Sequence, residues 1–211
     1  MPSTQPPPRH EAPPPYGVTD TYHHGHLRAA CVQAGIRLVE DEGPDAVTIR
    51  GVARIAGVSH TAPLHHFADR DALLRAVAER GFEMLLELLD ASLGTERPGP
   101  LAELRAYGVA YVEHAVAHPG LFRLMFDGFD CPPGEEAWHR LIGLCDAAIG
   151  AGELVAPPDP ERLAFVVWGL VHGLAALASA GRRQDASEPF LPITVALRAL
   201  DDCLAAFAPP D

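Results

Sequence analysis

The stretch TIRGVARIAGVSHTAPLHHF, residues 48–67, holds two short helical patterns divided by a glycine. Thr48 fits an N-cap, because a hydroxyl placed just before an apolar-periodic run accepts one of the free N–H groups of the first helical turn. Ile49, Val52, Ala53 and Ile55 then fall on or near one face, which predicts a short helix ending at Ala56. Gly57 breaks it. Ser59 offers a second N-cap, for a helix of about two turns ending near Phe67. Val58 and Leu64 or Phe67 can point inward there, leaving Ser59, His60, Thr61, Pro63 and His65 facing outward.

Two short helices joined by a tight turn are rigid only over a third helix. HGHLRAACVQAGIRLVED, residues 24–41, supplies one, with Leu27, Ala30, Cys31, Ala34 and Leu38 at spacings of three and four. Gly43-Pro44 ends it. The outline is a three-helix helix-turn-helix module whose outward groups are short and polar, able to approach base edges and phosphates closely. Asp69 caps the next helix, over residues 69–93, with Leu73, Leu74, Val77, Phe82, Leu85, Leu86 and Leu89 as its buried stripe. This long helix leaves the first module and enters the second.

Beyond GTERPGP (94–100) the pattern stays helical over 101–117, 119–126, 135–150, 161–180 and 188–208, with breaks at DCPPG, APPDP and AGRRQDASEP. No alternating strand pattern survives, so the expected fold is all-α with about nine helices. Residues 1–19 are Pro-rich and aperiodic, and read as a disordered arm with polyproline II tendency. The expected division is the arm at 1–19, a helix-turn-helix DNA-binding unit at 20–68, and a ligand-binding and dimerisation unit at 69–211.

The chain carries a formal charge of −12, unevenly spread. Residues 1–80 hold 8 Arg against 9 acids, while residues 81–211 hold 8 Arg against 19. Within 47–70 the charged side chains are Arg50, Arg54, Arg70 and Asp69, so a basic face fits beside His60, His65 and His66. The acidity belongs to the second part. LAFVVWGLVHGLAALASA (163–180) is broken by His172 and glycines, and reads as a buried helix, not a membrane span. With no apolar leader at the start, the expected compartment is the cytoplasm. Cys31, Cys131, Cys145 and Cys203 are scattered without a CxxC pair, as small buried hydrophobes would be.

From Tyr22 to Gly81, through Thr48, Ala53, AGVS, HF and DRDAL, the sequence resembles the TetR family of transcriptional regulators. Downstream, HPGLFRLMF (118–126), Trp168 and His172-Gly173 resemble the branch of that family with a Trp and a His-Gly signature. The resemblance implies a homodimer, most simply a repressor, that binds a palindromic double-stranded operator and is released by a small molecule in the C-terminal domain. It implies phosphate contacts for Thr48 and Arg50, a groove-facing helix bearing Ser59, His60, Thr61 and Pro63, and a phosphate contact for Arg70, where lysine is usual. Leu64 and His65 stand where close relatives would carry Tyr and Arg, so a hydroxyl and a full charge are missing from the DNA-contacting stretch. A nearby anion favours imidazolium, so operator binding is expected to tighten as pH falls from about 8 to about 6.

Trp168 and His172 stand four apart on one helical face, with Tyr107, Tyr111, His114, Phe122, Phe126 and Trp138 on neighbouring helices. Periodicity alone suits a core, whereas the resemblance turns the set into an effector pocket, with His114 and His172 as its polar contacts. Gly169 and Gly173 permit close approach of a helix, within the chain or at a dimer seam, and the last two helices would pair with their symmetry mates. Metal sensing by the histidines is disfavoured, since His23, His24 and His26 place at best two on one helical face. No metal site and no cofactor are expected. Catalytic motifs are missing, so no enzyme is expected. The rival reading is an all-α small-molecule-binding protein of the same fold with weak or lost DNA binding.

Overall fold

The computed structural model describes residues 20–93, 99–155, 159–180 and 191–209. The expected N-terminal arm lies outside them. Eight α-helices follow one another: α1 (Asp20–Glu42), α2 (Ile49–Ala56), α3 (Arg70–Leu93), α4 (Pro100–Ala117), α5 (Pro119–Met125), α6 (Pro132–Gly150), α7 (Pro160–Ala180) and α8 (Ile193–Ala205). Two 3-10 turns, Pro44–Ala46 and Ala62–His65, complete the regular structure among the described residues. The fold is all-α, as expected.

Local chemistry sets the ends of α2. Thr48 is extended, and its Oγ1 accepts the Gly51 N–H at 3.0 Å. Gly57 takes the left-handed conformation, φ 71°, which costs glycine nothing and would strain another residue. Asp69 caps α3 in the same manner as Thr48 caps α2, its carboxylate accepting the Ala72 N–H at 2.7 Å.

The helix expected from Ser59 is a single 3-10 turn instead. A helix starting at Ser59 would carry Pro63 in its interior, where the ring removes a backbone donor and collides with the carbonyl four residues back. The chain therefore starts its turn at Ala62 and keeps Pro63 in the first turn, where the missing N–H is no loss. The hydroxyl of Ser59 caps nothing; its carbonyl accepts the Ala62 N–H at 3.1 Å. The nine expected helices are thus eight and a turn. The last helix also starts later than expected, at Ile193, because Pro192 is extended and serves as its N-cap.

One continuous core runs from Cys31 on α1 to Leu204 on α8. In it α4 is the central helix, packed against α3, α5, α6, α7 and α8, while α1 lies across α2, α3 and α5. Helix α7 is long and apolar enough to cross a membrane by length and composition, with 39% of its most apolar window buried. The sequence reads as a buried helix there. Instead it packs one face on α4, α6 and α8 and leaves Phe165, Val166 and Leu177 exposed.

Candidate functional site

The stretch after α2 presents a row of exposed side chains: Ser59, His60, Thr61, Leu64 and His65, with Thr48 and Arg50 exposed beside them at the start of α2. Beneath them Val52, Ala53, Phe67 and Val47 are almost fully buried. Pro63, expected to face outward, is buried with this floor, since the 3-10 turn rotates it inward and Leu64 outward. Leu64 is 52% exposed, an apolar side chain on a surface otherwise made of hydroxyls, imidazoles and guanidinium groups.

Arg70 differs from expectation in a second way. Its Nε donates to the carbonyl of Val47 at 2.8 Å and its Nη2 to that of Pro44 at 2.7 Å. Asp45 and Asp71 stand 3.9 Å from the same guanidinium. These charge-assisted bonds make Arg70 a strut that ties the start of α3 to the turn between α1 and α2.

The second module holds an open-sided cavity of about 480 Å³ between α3, α4, α6, α7 and the segment that follows α5. Of the residues expected in a pocket, Tyr107, Tyr111, Phe126, Trp138 and Trp168 border it. Their polar atoms are engaged within the wall. Tyr107 donates its hydroxyl to the Ala137 carbonyl at 2.9 Å, and Trp168 Nε1 donates to the Tyr111 oxygen at 3.3 Å. The Tyr111 hydroxyl meets His172 Nδ1 at 2.9 Å. Burial holds the His172 imidazole below its usual range, so its neutral form accepts a hydrogen bond from the Tyr111 hydroxyl, and the donations run Trp168 to Tyr111 to His172. Burial likewise pushes both tyrosine hydroxyls up, keeping them protonated donors.

His172 itself faces another space. Together with Phe122, Phe126, Arg123 and Ser179 it lines a second cavity of about 540 Å³ between α5 and α7. The pair Trp168 and His172, four residues apart on one helix, is therefore divided between two cavities, with Tyr111 and Phe126 as the partition. His114 borders neither. It is 3% exposed, its ring 5.3 Å from that of His118, and its Nε2 has no hydrogen-bond partner. Burial, then the nearby His118, lowers its pKa to about 4. His114 packs in the core: it shares the face of α4 that carries Tyr107 and Tyr111, but stands one helical turn beyond Tyr111, past the end of the cavity.

Phe82, Met125, Phe129 and Phe165 also border the first cavity, and none was singled out as a pocket residue from the sequence. Phe165 could have been, since it precedes Trp168 by one helical turn. Phe129 lies in a loop, where no periodicity marks it. All four cysteines are free, three of them buried. Among the described residues no three His, Cys, Asp or Glu side chains converge as metal ligands would, and the side chains of His23 and His24 lie outside the description.

Comparison with known proteins agrees with this architecture. A model of bacterial regulatory proteins of the tetR family matches residues 32–77, and one of the tetracyclin repressor-like C-terminal domain matches residues 104–202. A protein with unknown function from Rhodococcus sp. RHA1 is 33% identical, with a TM-score of 0.74 over 90% of this chain and 100% of its own. A TetR-family transcriptional regulator from Pectobacterium atrosepticum is 22% identical, with a TM-score of 0.68 over 90% of this chain and 97% of its own. Another from Rhodococcus sp. is 18% identical, with a TM-score of 0.66 over 88% and 100%. No curated protein matches. From the matched helix-turn-helix segment, the matched C-terminal domain and the shared fold, this chain belongs to the TetR family of transcriptional regulators, and is not an enzyme.

Proposed function

We propose that the chain is a ligand-released repressor, a cytoplasmic homodimer that holds a palindromic operator through two copies of the exposed turn and lets go when a small molecule enters the aromatic cavity. On this reading residues 20–68 form the DNA-binding unit and residues 69–211 the effector-binding and dimerising unit. Thr48, Arg50, Ser59, His60, Thr61, Leu64 and His65 face the DNA. Pro63 supports them from below, and Arg70 braces the module.

The observation that carries the reading is a mechanical link between the two sites. Phe82 and Leu85 of α3 border the cavity, while Arg70 at the start of the same helix is bonded to Pro44 and Val47, in the turn that leads into α2. Met125 and Phe126 at the end of α5 border the cavity too, while the start of α5 is held by Glu40 of α1, whose carboxylate accepts the Gly120 and Leu121 N–H groups at 3.0 and 2.9 Å. A guest that shifts the cavity wall thus acts on α3, which is bonded to the turn leading into α2, and through α5 on α1, which packs against α2 and the exposed turn. Half-sites on DNA lie about 34 Å apart per helical turn, so a small tilt of each head spoils their register.

The exposed apolar faces of α7 and α8, with Phe165, Val166, Leu177 and Val195, support their use as the dimer seam. A Cβ added at Gly169 or Gly173 would meet nothing within 4 Å in the protomer, which favours the seam over packing within the chain. Exposed Leu64 and the short turn favour a second reading, a ligand-binding protein of the same fold without DNA affinity. Selecting DNA from a random pool with the full chain, then titrating the selected duplex between about 50 and 200 mM salt, separates the two. Enrichment of a palindrome and a steep fall of affinity with salt are expected. No enrichment and a flat salt response would leave the second reading.

A further inference from the structure

We infer that the aromatic cavity is shaped for a hydrophobic organic cation, a quaternary ammonium or similar onium ion. The inference rests on the reading of this cavity as the effector site. Eight of its seventeen lining residues are aromatic, in a chain that is 7% aromatic overall. Three of them form a corner: the ring centroids of Trp138, Phe165 and Trp168 lie 5.8 to 6.2 Å apart, with interplanar angles of 86°, 67° and 74°. Rings set so steeply to one another offer a guest more than one π-face, and those faces carry the negative lobes that attract a cation.

The charged side chains that line the cavity among the described residues have one sign. Asp130 and Glu135, both exposed at its rim, are its charged lining residues, and among the described residues no Arg or His lines it. Arg140, which acts electrostatically on Tyr107, is ion-paired with Asp90. Burial raises the pKa of the Cys131 thiol in the wall, and the carboxylates of Glu79 and Asp130 push it the same way against Arg75. An anionic guest would need donors, yet the hydroxyl of Tyr107 and the indole N–H of Trp168 are taken inside the wall. The surplus of acids over residues 81–211 draws cations toward the rim from further away. A volume of about 480 Å³ takes a guest of drug-like size.

The test compares three probes of similar size on the full chain by calorimetry and tryptophan fluorescence: benzyltrimethylammonium, its neutral carbon isostere neopentylbenzene, and the anion 3-phenylpropionate. The cation is expected to bind at least about tenfold tighter than the isostere, and the anion weaker than both. Asp130→Asn with Glu135→Gln, exposed amide replacements that keep the fold, should bring the cation-to-neutral ratio below about 3, and Trp138→Leu should lower it too. A neutral or anionic probe binding as tightly as the cation, no binding of the cation, or a ratio unchanged in the variants overturns the inference. Operator release is measured separately. Cation binding without release would defeat the repressor reading and leave the inference standing, whereas an operator-binding chain that ignores the cation would do the reverse.

Discussion

Arg70 has the charge and position for a phosphate contact, yet its guanidinium is bonded to two backbone carbonyls. Arg50 is exposed on the same module, where the proposed reading sets it against phosphate. Replacing Arg50 by Ala is expected to weaken all duplexes alike and to reduce the slope of log K against log salt by about one. His65→Arg should steepen it by a similar amount, and anisotropy titrations over a salt series read both. An unchanged slope in Arg50→Ala would take that side chain off the phosphate backbone. His114 gives a prediction of another kind. Its pKa in the fold, about 4, is lower than the ordinary histidine value, so below about pH 6.5 the unfolded chain binds a proton that the folded one refuses. Its contribution to stability is full above that pH and falls by about 1 kcal/mol per pH unit on acidification toward 4. Urea midpoints at pH 7.5 and 5 should therefore differ, and His114→Leu should shrink the difference.

At the level of elements, α5 is the piece whose two ends matter most. Seven residues long, it is held at one end by Glu40 and touches both cavities with Phe126 at the other. A Cβ on Gly120 would lie 2.5 Å from the Val39 carbonyl oxygen, so α1 and α5 meet backbone to backbone there. Such contact transmits displacement because no flexible side chain intervenes. Glu40→Gln turns one acceptor into a donor facing an N–H, and is expected to lower stability by about 1–2 kcal/mol. The same variant should hold operator DNA while responding less to an effector. A urea melt paired with an effector titration checks both, and an unaltered response would remove α5 from the coupling route.

Across the whole molecule, apolar surface and charge separate. The acidic surplus belongs to residues 81–211, from the second half of α3 onward, whereas Arg50 and Arg54 stand on α2, so the polyanion and the acidic body need not meet. The exposed apolar face of α7 calls for a cover of equal size. Gly173→Leu has room within the protomer and removes a flexible residue from a helix, so the protomer's helix content is expected to persist. At a seam the same side chain would hold the partner helix off. Light scattering is expected to find a monomer, with operator affinity lost in parallel, and an unaffected dimer would move the seam elsewhere.

Once the order of events along the chain is considered, the reach of the sequence becomes clear. Thr48, Gly57 and Asp69 set helix ends through hydrogen bonds to residues at most four positions away, so those ends were legible directly. The 3-10 turn was equally local, and its signal was Pro63, which forbids the helix that Ser59 would start. Periodicity named most of the aromatic residues around the cavity because a buried face repeats every three or four residues whatever it faces. Tertiary structure alone decided what each buried group meets: Arg70 reaches back to a turn 23 to 26 residues earlier, and Tyr111 meets His172 across 61 residues. It alone split Trp168 from His172 and ended the cavity short of His114, since the packing of one helix against another is fixed by all its neighbours together, and no single stretch of chain contains them.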